Sequence, residues 1–170
     1  MHRYVVLLRG VNVGGKNSVP MKPLVVLLEQ QGFEQVSYYI QSGNLVLSSP
    51  AYPCSAIKTI IGEHFGFTPN VFVLSATELL AAMHHNPYRE FEGKFVHFYF
   101  CENAIEINVE KIERWIAATE DYYVENNVFY LHAPEGIGRS KLVSHIESCL
   151  GQAATGRNLN TMKKVTNLID

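Results

Sequence analysis

What the sequence lacks narrows it first. No apolar run approaches the roughly 20 residues that a bilayer-spanning helix needs. The short stretch Val5–Leu8 stops at Arg9, before it reaches the length of a signal-peptide core. Three cysteines occur, Cys54, Cys101 and Cys149, odd in number and widely spaced. They form no CxxC pair, so neither a zinc site nor a disulfide framework is indicated, and thiols in a reducing cytoplasm are expected. No nucleophile elbow, zincin helix or GxGxxG pattern is found, and no residue qualifies as a general base. The seven histidines show no metal-ligand spacing: His84 and His85 are adjacent and project in different directions, and His64, His97, His132 and His145 stand apart from Cys, Asp and Glu. No cofactor or metal is therefore expected. Acidic residues are missing from positions 1–28, which carry Arg3, Arg9, Lys16 and Lys22.

What is present describes a globular chain. At 170 residues, 47% of them hydrophobic, it fits one large domain or two small ones and has too much apolar content for disorder. The net charge of −2 argues against strong nonspecific nucleic-acid binding. That charge is unevenly spread. Ten acids against three bases lie between Glu90 and Glu135, whereas the tail from Gly151 carries Arg157, Lys163 and Lys164 against Asp170.

Periodicity gives strand, helix, strand, strand, helix, strand over the first 75 residues. Arg3–Arg9 is apolar on both faces and reads as a central strand. Leu24, Leu27 and Leu28 mark a helix, with Pro23 in its first turn and Gly32 at its end. Ser37–Gln41 and Leu45–Ser49 read as strands joined by Ser42-Gly43-Asn44. Ile57, Ile60, Ile61 and Phe65 mark a second helix, and Val71–Leu74 a fourth strand. Ser75-Ala-Thr-Glu78 is a capping box opening a third helix, which Asn86-Pro87 ends. Beyond it come a strand at Phe95–Phe100, a helix capped by Asn108, strands at Tyr122–Glu125 and Val128–His132, and one helix from Leu142 to Leu150.

At an offset of 84, Tyr38, Tyr39, Leu47 and Pro50 coincide with Tyr122, Tyr123, Leu131 and Pro134. With the matching element order, this predicts an α+β fold of two packed ferredoxin-like units related by internal duplication, each an antiparallel sheet with helices on one face. The expected organisation is a first unit over 1–75, a bridging helix and linker over 76–94, an incomplete second unit over 95–150, and a tail over 151–170. The second unit is expected to lack its last strand, with a loop at Ala153–Asn158 in its place and a final helix carrying Leu159, Met162, Val165 and Leu168.

Connectivity also nominates a site. In such a unit the first and third strands are antiparallel neighbours, so the loop after the first meets the start of the third. That places Arg9, Gly10, Asn12, Gly14, Gly15 and Lys16 beside Gln41, Ser42, Gly43 and Asn44. Two polar glycine loops with an arginine and a lysine suit a small anionic or carboxamide-bearing ligand. The plainer reading is that the glycines supply positive-φ turns and the asparagines bond local backbone. Gly10–Lys16 formally fits a phosphate-binding P-loop, but Asn17 replaces the required Ser or Thr and Ser18, Val19 and Pro20 intervene before the helix. ATPase and GTPase activity are excluded on that ground. In the tail, Thr155-Gly156-Arg157-Asn158 offers Arg157 as a third cation and Asn158 or Thr155 as a helix cap.

Tyr4–Val19, Tyr39–Asn44 and Thr155–Asn158 together resemble the DUF1697 family of bacterial proteins. The resemblance implies a cytoplasmic protein and supplies no reaction. Family tails usually carry alanine before the arginine and tryptophan after the asparagine, where this chain has Gly156 and Leu159. Whether the chain is an enzyme stays open. Two alternatives to small-ligand binding stand beside it. One is nucleic-acid binding, opposed by the lack of aromatics on Leu45–Ser49 and of an RNP1 pattern. The other is a noncatalytic protein-interaction module.

Overall fold

The computed structural model describes residues 1–170. It divides into two compact units, Met1–Ala81 with Lys163–Asp170, and Ala82–Met162. The fold is α+β, with two four-stranded antiparallel sheets and seven helices. No helix is long and apolar enough to cross a membrane.

The first unit is built from β1 (His2–Arg9), α1 (Met21–Gln30), β2 (Glu34–Tyr39), β3 (Asn44–Ser49), α2 (Cys54–Phe65) and β4 (Asn70–Ser75). Its sheet order is β2-β3-β1-β4. Val6, Leu8, Leu45 and Leu47 alternate towards the helices and pack on Leu24, Leu28, Ile57 and Ile61, all fully buried. Both faces of β3 are buried, which is why β1 and β3 read as near-continuous apolar runs. Gly32 ends α1 at φ +96° in a Schellman motif, with Phe33 N–H donating to Leu28 O at 3.1 Å and Gly32 N–H to Glu29 O at 3.1 Å. The capping box is reciprocal: Glu78 N–H donates to Ser75 Oγ, and Ser75 N–H to Glu78 Oε1, opening α3 (Ala76–His84). Arg3 joins the tail to this unit. Its guanidinium donates to the carbonyls of Ile169 and Leu168, each at 3.0 Å, and to Gln35 O at 2.7 Å.

The second unit contains β5 (Val96–Cys101), α4 (Val109–Trp115), β6 (Asp121–Glu125), β7 (Val128–His132), α5 (Lys141–Ser144), α6 (Ile146–Leu150), β8 (Ala154–Asn158) and the start of α7 (Leu159–Asn167), whose remainder belongs to the first unit. Its sheet order is β6-β7-β5-β8. Asn108 caps α4 as its position suggests, accepting from Lys111 N–H at 3.1 Å.

Three expectations need correction. The second sheet is complete: Ala154–Asn158 is a strand, paired with β5 from Cys101↔Ala154 to His97↔Asn158. Backbone pairing decides this, since Thr155, Gly156 and Arg157 give no strand-like apolar alternation. The helix over 142–150 is broken at His145, whose N–H bonds back to Leu142 O in a tight turn. The second strand begins at Glu34 rather than Ser37, through an irregularity in its pairing with β3. His97 is buried, with a backbone hydrogen bond at Lys94 and no partner at Nε2. Burial pushes its pKa down, so the neutral ring is the favoured form.

Register qualifies the repeat. Leu47 pairs with Tyr4, and Leu131 pairs with His97, so β3 and β7 occupy matching places at the offset of 84. Tyr38, however, pairs with Leu45, whereas Tyr122 pairs with Leu131. The Tyr-Tyr match is thus displaced by one pleat repeat, because the first unit's hairpin loop spans Ile40–Gly43 and the second has only Asn126-Asn127.

Candidate functional site

The loop after β1 is a miniature hairpin. Val13 and Lys16 form an antiparallel bridge, with Lys16 N–H donating to Val13 O at 3.0 Å. Gly14 and Gly15 occupy its two central positions at φ +58° and +72°, the signature of a type I′ turn. A Cβ at either glycine would meet nothing within 4 Å. The left-handed backbone, not lack of space, therefore calls for glycine here. One rung further down, Asn12 N–H donates to Asn17 O at 3.0 Å. Lys16 is exposed at the tip beside Val13, which is 64% exposed.

Asn12 latches this hairpin to its neighbours. Its Nδ2 donates to Val19 O at 2.8 Å and to Gln41 O at 2.6 Å, and its Oδ1 accepts from Val19 N–H at 2.7 Å. Gln41 Oε1 in turn accepts from Met21 N–H at the start of α1, at 3.2 Å. Gly43 completes the junction. Its carbonyl accepts from Leu8 N–H at 2.8 Å, and a Cβ there would lie 2.7 Å from Leu8 Cβ and 2.9 Å from Val11 Cγ2. Asn44 is fully buried and donates to Tyr39 O and Ser42 Oγ.

The two loops therefore meet at one edge, as connectivity requires of antiparallel β1 and β3. Asn12, Gln41, Gly43 and Asn44 hold the loops together, and Ser42 joins them as acceptor of the Asn44 bond. Arg9, Gly10, Gly14, Gly15 and Lys16 are exposed, and Arg9 and Lys16 supply the cationic character. Arg157 and Asn158 lie in the second unit on β8. Asn158 Oδ1 caps α7 by accepting from Thr161 N–H at 2.8 Å. Arg157 is buried, and its Nη1 donates to Thr155 Oγ1 at 2.7 Å and to Gly156 O at 2.8 Å. Burial lowers its pKa to about 10. These bonds and this burial make Arg157 a strut of the strand.

The second unit holds a concavity that no motif in the sequence indicates. A cavity of about 600 Å³ in the second unit is lined by Arg114, Trp115, Glu120, Arg139 and Lys141, among others. The nearest sequence signal is Gly136-Ile137-Gly138-Arg139-Ser140-Lys141, a glycine-and-cation segment comparable to the first loop. Its other walls come from residues some 20 positions earlier, so no single segment displays it.

A family model described as "Protein of unknown function (DUF1697)" matches residues 1–130. A solved structure, that of conserved bacterial protein SP0830 from Streptococcus pneumoniae, superposes with a TM-score of 0.75 at 24% identity, covering 99% of each chain. That similarity extends the shared fold through β8 and the tail. No curated protein matches the sequence.

Proposed function

The chain belongs to the DUF1697 family, and on that premise we propose that it binds a small anionic or polar molecule at the edge formed by Gly10–Lys16 and Gln41–Asn44. One observation carries this reading: Asn12 joins the hairpin to Gln41 through the 2.6 Å bond, leaving Lys16 and Arg9 on a braced surface. Bracing matters because a preorganised cation loses less side-chain and loop entropy when it binds an anion. Arg157 and Asn158 contribute to folding the second unit rather than to the ligand. The element order and strand order support reading each unit as a ferredoxin-like fold, and the pair as an ancient duplication whose hairpins diverged in length. The cysteine usage and the absence of a membrane-spanning helix favour a cytoplasmic setting.

The nucleic-acid reading is weaker. The second unit's Tyr99 and Phe129 are buried in its core, where they offer no stacking platform. The test is a thermal-shift screen of anionic metabolites, nucleotides and short oligonucleotides. A ligand at 100 times its dissociation constant adds about 2.7 kcal/mol, or roughly 5–10 °C for a chain of this size. The expected result is a small-anion hit that Lys16→Ala and Arg9→Ala abolish. Silence across the panel, with a protein partner recovered instead, would favour the interaction module.

A further inference from the structure

From its lining we propose that the cavity of the second unit is a separate binding site for a phosphate-bearing molecule of about nucleoside-monophosphate size. Three segments build it: the end of α4, the turn into β6, and the loop 135–141 between β7 and α5. Buried Glu120 fixes these segments relative to one another. Its Oε1 accepts from Ala117 N–H at 2.8 Å, and its Oε2 accepts from Ser140 Oγ at 2.7 Å. Glu120 is only 8% exposed, and these two donors satisfy its carboxylate oxygens. Glu135 is likewise engaged, by the Thr119 hydroxyl at 3.2 Å.

The cations are placed differently. Arg114 comes from α4, and Arg139 and Lys141 from the loop 135–141; all three are exposed, and none of their side chains forms an ion pair or hydrogen bond within the chain. They stand on the rim of one concavity in a chain whose 90–135 stretch is strongly acidic. Two guanidinium forks and an ammonium exceed what a single carboxylate needs and match a dianionic phosphate. A phosphate alone does not fill about 600 Å³. The remaining wall includes Trp115 and Ile116, which suits the organic part of the ligand. Trp115 is held in place by His145, whose ring stacks on the indole at 3.9 Å with an interplanar angle of 1°. His145 is anchored in turn through Nδ1 at 2.8 Å from Lys141 O.

Trp115 is the only tryptophan in the chain, so its fluorescence reports on this cavity directly. The full chain is titrated with AMP and with inorganic phosphate at low ionic strength, following Trp115 emission and the thermal midpoint in parallel. The expected result is saturable binding of both, with AMP the tighter. Arg139→Gln with Lys141→Gln should weaken AMP by about tenfold or more, the loss expected for charge-assisted hydrogen bonds. Lys16→Ala should leave AMP binding unchanged, which separates this site from the first-unit edge. Both substituted residues are exposed, so the double variant keeps the wild-type midpoint without ligand. No change in emission or midpoint with either probe would overturn the proposal. So would undiminished AMP binding in the double variant. AMP binding no tighter than phosphate would overturn its organic half.

Discussion

The two units share a strand order and differ in what fills it. In the first, helices of 10 and 12 residues cover a sheet of valine and leucine. In the second, the helices before β8 have 7, 4 and 5 residues, and the sheet face packed on them compensates with Tyr99 and Phe129, while Phe98, Phe100 and Tyr130 are buried on the opposite face. Large rings supply buried area that short helices cannot. At matching places in β3 and β7, Leu45 becomes Phe129 and Val46 becomes Tyr130. The loops diverge in the same way. The first unit braces a hairpin after its first strand, and the second opens a cavity after its first helix. One topology thus supports two layers of different chemistry, each leaving its exposed cations at a different corner.

The aromatic core offers the most severe way to break this contrast. Phe129→Ala should cost about 3–5 kcal/mol, and Leu45→Ala somewhat less, in proportion to the volume removed. Denaturant titration checks both, with Trp115 emission reporting the second unit. Equal losses would show that ring size carries no special burden there. Next is Gly43→Ala, at φ +89° with a contact of 2.7 Å to Leu8 Cβ. Strain and overlap together predict a loss of about 2–3 kcal/mol, or a midpoint lowered by roughly 5–10 °C. Gly15→Ala meets no atom and should cost only its backbone strain, about 1 kcal/mol.

Asn12 separates latch from turn. Asn12→Gly tolerates φ +56° but removes three hydrogen bonds, predicting about 2 kcal/mol lost. Amide exchange should accelerate at Val19 and leave β7 unaffected. The smallest effect is alkaline. Burial raises Tyr88 from 10.0 to about 12, raises Tyr99 and Tyr130 as well, and lifts Cys101 from 9.0 to about 11. All four belong to the second unit. A raised native pKa means the unfolded chain binds fewer protons in the window above pH 9–10, so stability falls as pH rises through it. Tyr130→Phe removes the 2.6 Å bond to Ala82 O, costs about 1 kcal/mol at neutral pH, and flattens that decline. Trp115 emission followed between pH 8 and 11 tests the slope.

Local chemistry was legible in the sequence where it is self-contained. Ser75 with Glu78, Asn108 and Gly32 act within four residues of themselves, and each sits where its pattern indicates. The meeting of the two loops was also legible, because strand connectivity alone dictates it. β8 was not, since a buried arginine breaks the apolar alternation and only pairing with β5 makes the segment extended. The division of labour among Asn12, Gln41 and Lys16 depends on side-chain direction, which no residue type announces. Nor is the cavity readable, because Arg114, Glu120 and Arg139 become neighbours only through the fold.

Arg3 reaches the carbonyls of Leu168 and Ile169 across 166 positions of chain. These bonds close a loop that takes in the whole of Ala82–Met162, so the first unit is assembled from two stretches of chain with the second unit between them. Loop-closure entropy grows only with the logarithm of loop length, so the clamp costs little in stability. In folding it is a non-local contact, and such contacts form slowly. The sheet of the first unit can therefore form from local pairing before its clamp closes.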